Sequence, residues 1–121
     1  MKDLLIIDDD EDIRVIVKVI LESTGHYSVR EAASARAGIA ALYQESPDIL
    51  LLDYLLPETS GLDLLKKMES TLHQTDVVVL TARQDPALEA EFIASGARGV
   101  LYKPFDPDLL ITGLEELLDI G

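Results

Sequence analysis

Asp48-Ile49-Leu50-Leu51-Leu52-Asp53-Tyr54-Leu55-Leu56-Pro57 is the stretch on which the fold turns. Ile49 to Leu52 is an unbroken apolar run, too short for a free-standing helix and bracketed by Pro47 and Pro57. Such a run reads as a strand buried on both faces, as in a parallel sheet covered by helices on either side. It ends in a carboxylate, Asp53, followed by a turn. Open α/β sheets bind ligands beyond the carboxyl ends of their strands, so an acid placed there is a candidate for chemistry.

Working outward, Leu4 to Ile7 is a second apolar run, closing in Asp8, Asp9 and Asp10. A helix follows from about Glu11 to Thr24, with Ile13, Ile16, Val17, Ile20 and Leu21 turned inward, Arg14, Lys18 and Glu22 on the opposite face, and Gly25 as its stop. Tyr27 to Glu31 reads as a short edge strand, and Ser34 caps a helix that turns Ile39, Leu42 and Tyr43 inward and ends before Pro47. Beyond Asp53, Ser60 is a cap with Asp63 three residues on, opening a helix with Leu64, Leu65, Met68 and Leu72 on its core face. Val77 to Leu80 is a β-branched run ending in Thr81-Ala82, and Asp85-Pro86 opens a helix that runs to Ala94 and stops at Gly96. Val100 to Tyr102 is the last strand; Asp106-Pro107 then starts a helix packed through Leu110, Leu114, Leu117 and Leu118.

Five strands alternating with five helices over 121 residues predict one domain, residues 1–121, built as an α/β sheet with right-handed crossovers. Hydrophobic residues make up 48% of the chain, enough for a core and too many for a disordered segment. A formal net charge of -13 disfavours direct contact with nucleic acid or anionic membrane and favours divalent cations and basic protein surfaces. The absence of cysteine excludes disulfides and thiolate metal sites. With no leader and no apolar run long enough to span a bilayer, the expectation is a cytoplasmic protein.

In a parallel sheet all strands end on one edge. Four of these strands end in polar residues, Asp8-Asp9, Asp53, Thr81 and Lys103, so these side chains are expected to gather there. Three clustered carboxylates repel, and one lysine does not neutralise them. A hard divalent ion with oxygen ligands does, and Mg²⁺ commonly combines one or two carboxylates with waters and a phosphoryl oxygen. Such a site suits phosphoryl transfer, with a carboxylate able to act as nucleophile. Singly these residues have plain structural readings: acids after a strand cap helices, Asp53 could serve a turn, Thr81 a strand and Lys103 the surface. His26 and His73 read as surface residues, and Glu115, Glu116 and Asp119 as a solvated helix face.

In this order and spacing the chain resembles the receiver domain of two-component response regulators. The resemblance rests on the strand ending in Asp8-Asp9, on Asp53-Tyr54-Leu55-Leu56-Pro57 with Gly61 beyond it, on Val79-Leu80-Thr81-Ala82, on Gly96-Ala97 and on Lys103-Pro104-Phe105. It implies a flavodoxin-like, doubly wound five-stranded parallel sheet of order 2-1-3-4-5. It makes Asp53 the acceptor of a phosphoryl group from a phosphohistidine on a sensor histidine kinase or histidine phosphotransfer protein. It implies Mg²⁺ held by Asp9, Asp53 and the Leu55 backbone carbonyl, with Asp8 acting mainly through water. Thr81 and Lys103 would engage the phosphoryl group, and Lys103-Pro104 would be a cis bond. The domain would be a switch on its fourth-helix, fifth-strand and fifth-helix face, not an enzyme with an external substrate, although it contributes to its own phosphorylation and dephosphorylation. A phosphorylation-dependent dimer is compatible with it; the downstream partner is not specified.

One departure stands out. The family usually carries Tyr or Phe three residues before the lysine, where this chain has Val100. Tyr102 is the nearest aromatic and the candidate substitute. Leu55 and Arg83 stand where the family tunes acyl-phosphate lifetime, and an apolar Leu55 predicts no specially fast hydrolysis. Two alternatives are a Mg²⁺-dependent phosphohydrolase of the haloacid dehalogenase type, using Asp8 in the formal D-x-D of Asp8 to Asp10, and a degenerate receiver that only docks.

Overall fold

The computed structural model describes residues 1–120. In chain order the elements are β1 (Lys2–Ile7), α1 (Glu11–Ser23), β2 (Tyr27–Ala32), α2 (Ala35–Gln44), β3 (Ile49–Asp53), α3 (Gly61–Lys67), β4 (Asp76–Thr81), α4 (Pro86–Ala94), β5 (Gly99–Tyr102) and α5 (Pro107–Leu118). The strands form one parallel sheet of order β2-β1-β3-β4-β5, as expected. β3, in the middle, is buried at every residue, which is why its sequence shows no alternation.

Local chemistry sets the helix starts. Asp10, Ser34, Ser60, Asp85 and Asp106 each accept hydrogen bonds from first-turn amides, and Pro86 and Pro107 follow their caps. A capping side chain satisfies an amide that has no partner within the helix, worth about 1 kcal/mol each. Gly25 and Gly96 take φ of 78° and 107° beyond α1 and α4, where a side chain would be strained.

Each face of the sheet has its own core. Leu4, Ile6, Ile49, Leu51, Val78 and Leu80 pack with Val17 and Leu21 of α1 and with Leu110, Leu114 and Leu118 of α5. Leu5, Ile7, Leu50, Leu52, Val77 and Val79 pack with Leu42, Leu64, Leu65 and Phe92 from α2, α3 and α4.

Two side-chain expectations and one helix end need correction. Ile16 is 44% exposed and Tyr43 70% exposed. On α1 Val17 and Leu21 are fully buried and Ile13 and Ile20 pack partly buried beside them, and Ile16 lies outside that stripe; on α2 Leu42 holds the buried position and turns Tyr43 away. Leu117, half-buried over Gly99 between α5 and β5, packs against the core as expected. The third helix ends at Lys67, with Met68 as its cap, and the chain continues in turns through Leu72. Met68 and Leu72 are nevertheless buried, because successive turns can bring residues four apart to one face as a helix does.

Candidate functional site

Strand register brings the polar strand ends together. Ile7 lies opposite Leu52, Asp53 opposite Leu80, and Thr81 opposite Tyr102. Asp8, Asp53, Thr81 and Lys103 therefore leave the sheet along one edge. Asp8 is fully buried. Its Oδ1 accepts from the Asp10 amide at 2.9 Å and its Oδ2 from Lys103 Nζ at 2.7 Å. Lys103 also donates to Asp53 Oδ1 at 3.2 Å. Asp9 is exposed at the mouth, and one oxygen from each of Asp8, Asp9 and Asp53 lies within 4.8 Å of the others. Asp10 takes the plain role: it caps α1, accepting from Asp12 and Ile13 at 2.9 and 3.3 Å.

The pocket is short of positive charge. Burial pushes the Asp53 carboxyl up to about 6, the Asp8 charge adds to this, and the opposing pull of Lys103 does not cancel them. Burial would lower the Lys103 ammonium, but its hydrogen bond to Asp8 and the charges of Asp53 and Asp8 outweigh that and raise it. Three acids against one ammonium leave room for a divalent cation with oxygen ligands, and the exposed Asp9 leaves the cluster reachable. The Leu55 carbonyl, two residues beyond Asp53, accepts from no backbone amide among the described residues.

Thr81 is buried at the same edge. Its hydroxyl oxygen accepts from the Arg83 amide at 3.0 Å, which leaves its own hydrogen to donate. The Lys103-Pro104 bond is cis. Val100 is buried in the core beneath α4, and Tyr102, two residues on, packs against the same cluster. His26 and His73 are exposed.

Two supporting residues, Arg14 and Glu58, were not singled out for the site, and a third, Gly61, was named only within the resemblance. Arg14, expected to face solvent, folds back over the acidic turn: Nη1 donates to the Asp8 carbonyl at 2.8 Å and Nε to Glu31 at 3.3 Å. Its place in the first turn after the Asp10 cap is the signal that could have found it. Glu58, in the loop after Asp53, accepts from the Ala35 amide at the start of α2 at 3.1 Å. Gly61 passes so close behind β3 that a Cβ there would collide with the Asp53 carbonyl oxygen.

A doubly wound sheet with a carboxylate cluster, a hydroxyl and an ammonium at its carboxyl edge defines a class of phosphoacceptor signalling domains. The chain belongs to the response regulator receiver domain family, whose model matches residues 4–115. It is 33% identical over 119 residues to the phosphate regulon transcriptional regulatory protein PhoB of Pseudomonas aeruginosa, covering 97% of this chain and 52% of that protein. It is 28% identical to the chemotaxis protein CheY of Thermotoga maritima over 96% of this chain and 97% of that one. The chain thus spans about half of the first relative and nearly all of the second. Among solved structures, chemotaxis response regulator CheY4 of Vibrio cholerae superposes with a TM-score of 0.88 at 32% identity, covering 97% of this chain and 98% of that one. A CheY-like receiver domain protein from Methanospirillum hungatei gives 0.88 at 31%, covering 98% and 94%. Membership sets aside the haloacid dehalogenase reading, and Asp10, the second acid of its D-x-D, serves as a helix cap.

Proposed function

We propose that residues 1–121 act as one receiver unit in which Asp53 takes a phosphoryl group from a phosphohistidine on a sensor histidine kinase or histidine phosphotransfer protein, in the cytoplasm. An Asp53 carboxylate oxygen attacks phosphorus, an O–P bond forms, the N–P bond breaks, and its electron pair returns to the imidazole. The observation that carries this reading is the shared oxygen cluster of Asp8, Asp9 and Asp53 with Lys103 bridging two of its members. Asp8, Asp9, Asp53 and the Leu55 carbonyl would hold Mg²⁺, which when bound neutralises charge on the transferring group. Lys103 holds Asp8 and Asp53 in place against their repulsion and supplies a positive charge for the phosphoryl oxygens. Thr81 offers its hydroxyl hydrogen to one of them. Phosphorylation adds nearly two negative charges and three acceptor oxygens, and the α4–β5–α5 face is where the change would be read by a partner, whether a downstream protein or a second copy.

The test is incubation with a small acyl phosphate and Mg²⁺, followed by mass mapping of the label. Label on Asp53 is the expected result. Label on Asp8 would sink the assignment, and no label at all would leave a module that only docks.

A further inference from the structure

Val100 stands where the family keeps a switching aromatic, and a buried valine has no polar group with which to report a change at the site. The next residue on the same face of β5 does. Tyr102 Oη donates to Glu89 Oε2 at 2.9 Å, joining β5 to the first turns of α4. Tyr102 is also placed between the two residues that would engage a phosphoryl group. It is peptide-bonded to Lys103, it lies opposite Thr81 in the sheet, and the Lys103 amide donates to the Thr81 carbonyl at 2.9 Å. The start of α4 has a second attachment to the same pair, because the Thr81 hydroxyl oxygen receives the Arg83 amide two residues before the Asp85 cap.

We infer that the Tyr102–Glu89 hydrogen bond is the relay of this receiver: it holds the start of α4 against β5 in the resting domain and gives way when Thr81 and Lys103 turn toward the phosphoryl group. The inference rests on phosphorylation of Asp53. A displacement of Lys103 or Thr81 is passed to Tyr102 through a peptide bond and a strand pairing, with no side chain needing to swing inward. The bond is short enough for a few tenths of an ångström to matter. Glu89 also pushes the Tyr102 phenol above its ordinary value, chiefly through this hydrogen bond, which gives the bond a spectroscopic handle. If the bond favours the resting state, linkage requires that removing it favour phosphorylation. A part-buried hydrogen bond of ordinary net worth corresponds to roughly a two- to ten-fold change in that equilibrium.

The experiment compares wild type, Tyr102→Phe, Glu89→Ala and the double variant of the full chain. Label at Asp53 from an acyl phosphate with Mg²⁺ is followed by mass mapping, and hydrogen exchange of amides 87–93 is measured with and without label. Labelling of wild type is expected to loosen these amides. Each single variant is expected to show that loosening without label and to reach a labelled-to-unlabelled ratio about two- to ten-fold higher at the same donor concentration, and the double variant to add nothing further. Unchanged exchange in unlabelled Tyr102→Phe, or labelled wild type as protected as unlabelled, overturns the relay while leaving Asp53 as acceptor. Absence of label on wild type overturns the proposed function, and the relay with it.

Discussion

The acidic pocket and the α4–β5 face meet at one edge of one sheet, yet they differ in how far this chain follows its family. The pocket keeps every expected residue: Asp8, Asp9, Asp53, Thr81 and Lys103. The face beside it replaces the usual aromatic by Val100 and adds a Tyr102–Glu89 bond. The difference follows from what each region must do. In the proposed function the pocket has to place several oxygens and one ammonium within a few ångströms of a single reacting centre, where a lost group leaves a buried charge unpaired. The face needs only two arrangements of different energy that the site can bias, and more than one set of contacts supplies that.

The sharpest way to break the comparison is Asp53→Asn, which should abolish acyl-phosphate labelling while the fold survives; labelling at the wild-type level, read by mass, would remove the acceptor from Asp53. Next in size is the response to Mg²⁺. Saturation to 100 times the dissociation constant should raise the unfolding free energy by about 2.7 kcal/mol. A thermal melt indifferent to millimolar-range Mg²⁺ would argue against the cation site.

The third prediction concerns protons in chelator-treated protein. The folded Asp53 carboxyl lies near 6, above the ordinary carboxylate value of about 3.9. A raised carboxyl stabilises the fold when protonated. Its contribution is complete below the unfolded value and lost as pH climbs through the folded one. Relative to Asp53→Asn, wild type should therefore lose on the order of 2 kcal/mol between about pH 4 and pH 7. Denaturant titrations of both proteins across that range check the sign, and a rising difference contradicts it. The smallest effect belongs to the other region. Val100→Ala should cost roughly 1–2 kcal/mol as a truncated core residue and leave labelling of Asp53 intact. A loss of labelling as large as that of Asp53→Asn would show that Val100 belongs to the site and erase the distinction.

Much of this was legible along the chain because the relevant signals are local. The apolar run Ile49 to Leu52 declares a strand covered on both faces, Asp85-Pro86 and Asp106-Pro107 declare helix starts, and alternation of the two declares a parallel sheet whose strand ends share an edge. The readings that failed depend on what lies across a gap. Ile16 and Tyr43 carry apolar or aromatic side chains at plausible helical positions, but how wide a stripe each helix buries is set by its neighbours. Met68 and Leu72 keep the spacing of a helix while the backbone leaves it.

The site divides in the same way. Which residues could do the chemistry was decided by residue type and position at strand ends, since a carboxylate, hydroxyl or ammonium announces its charge wherever it stands. That Asp10 caps a helix while Asp8 and Asp9 enter the pocket, that Arg14 returns to hold the Asp8 carbonyl, and that Tyr102 finds Glu89 were decided only by the folded arrangement. Hydrogen bonds act over about 3 Å, and no pattern along a chain specifies which groups from separate elements come that close; packing of the helices on the sheet does.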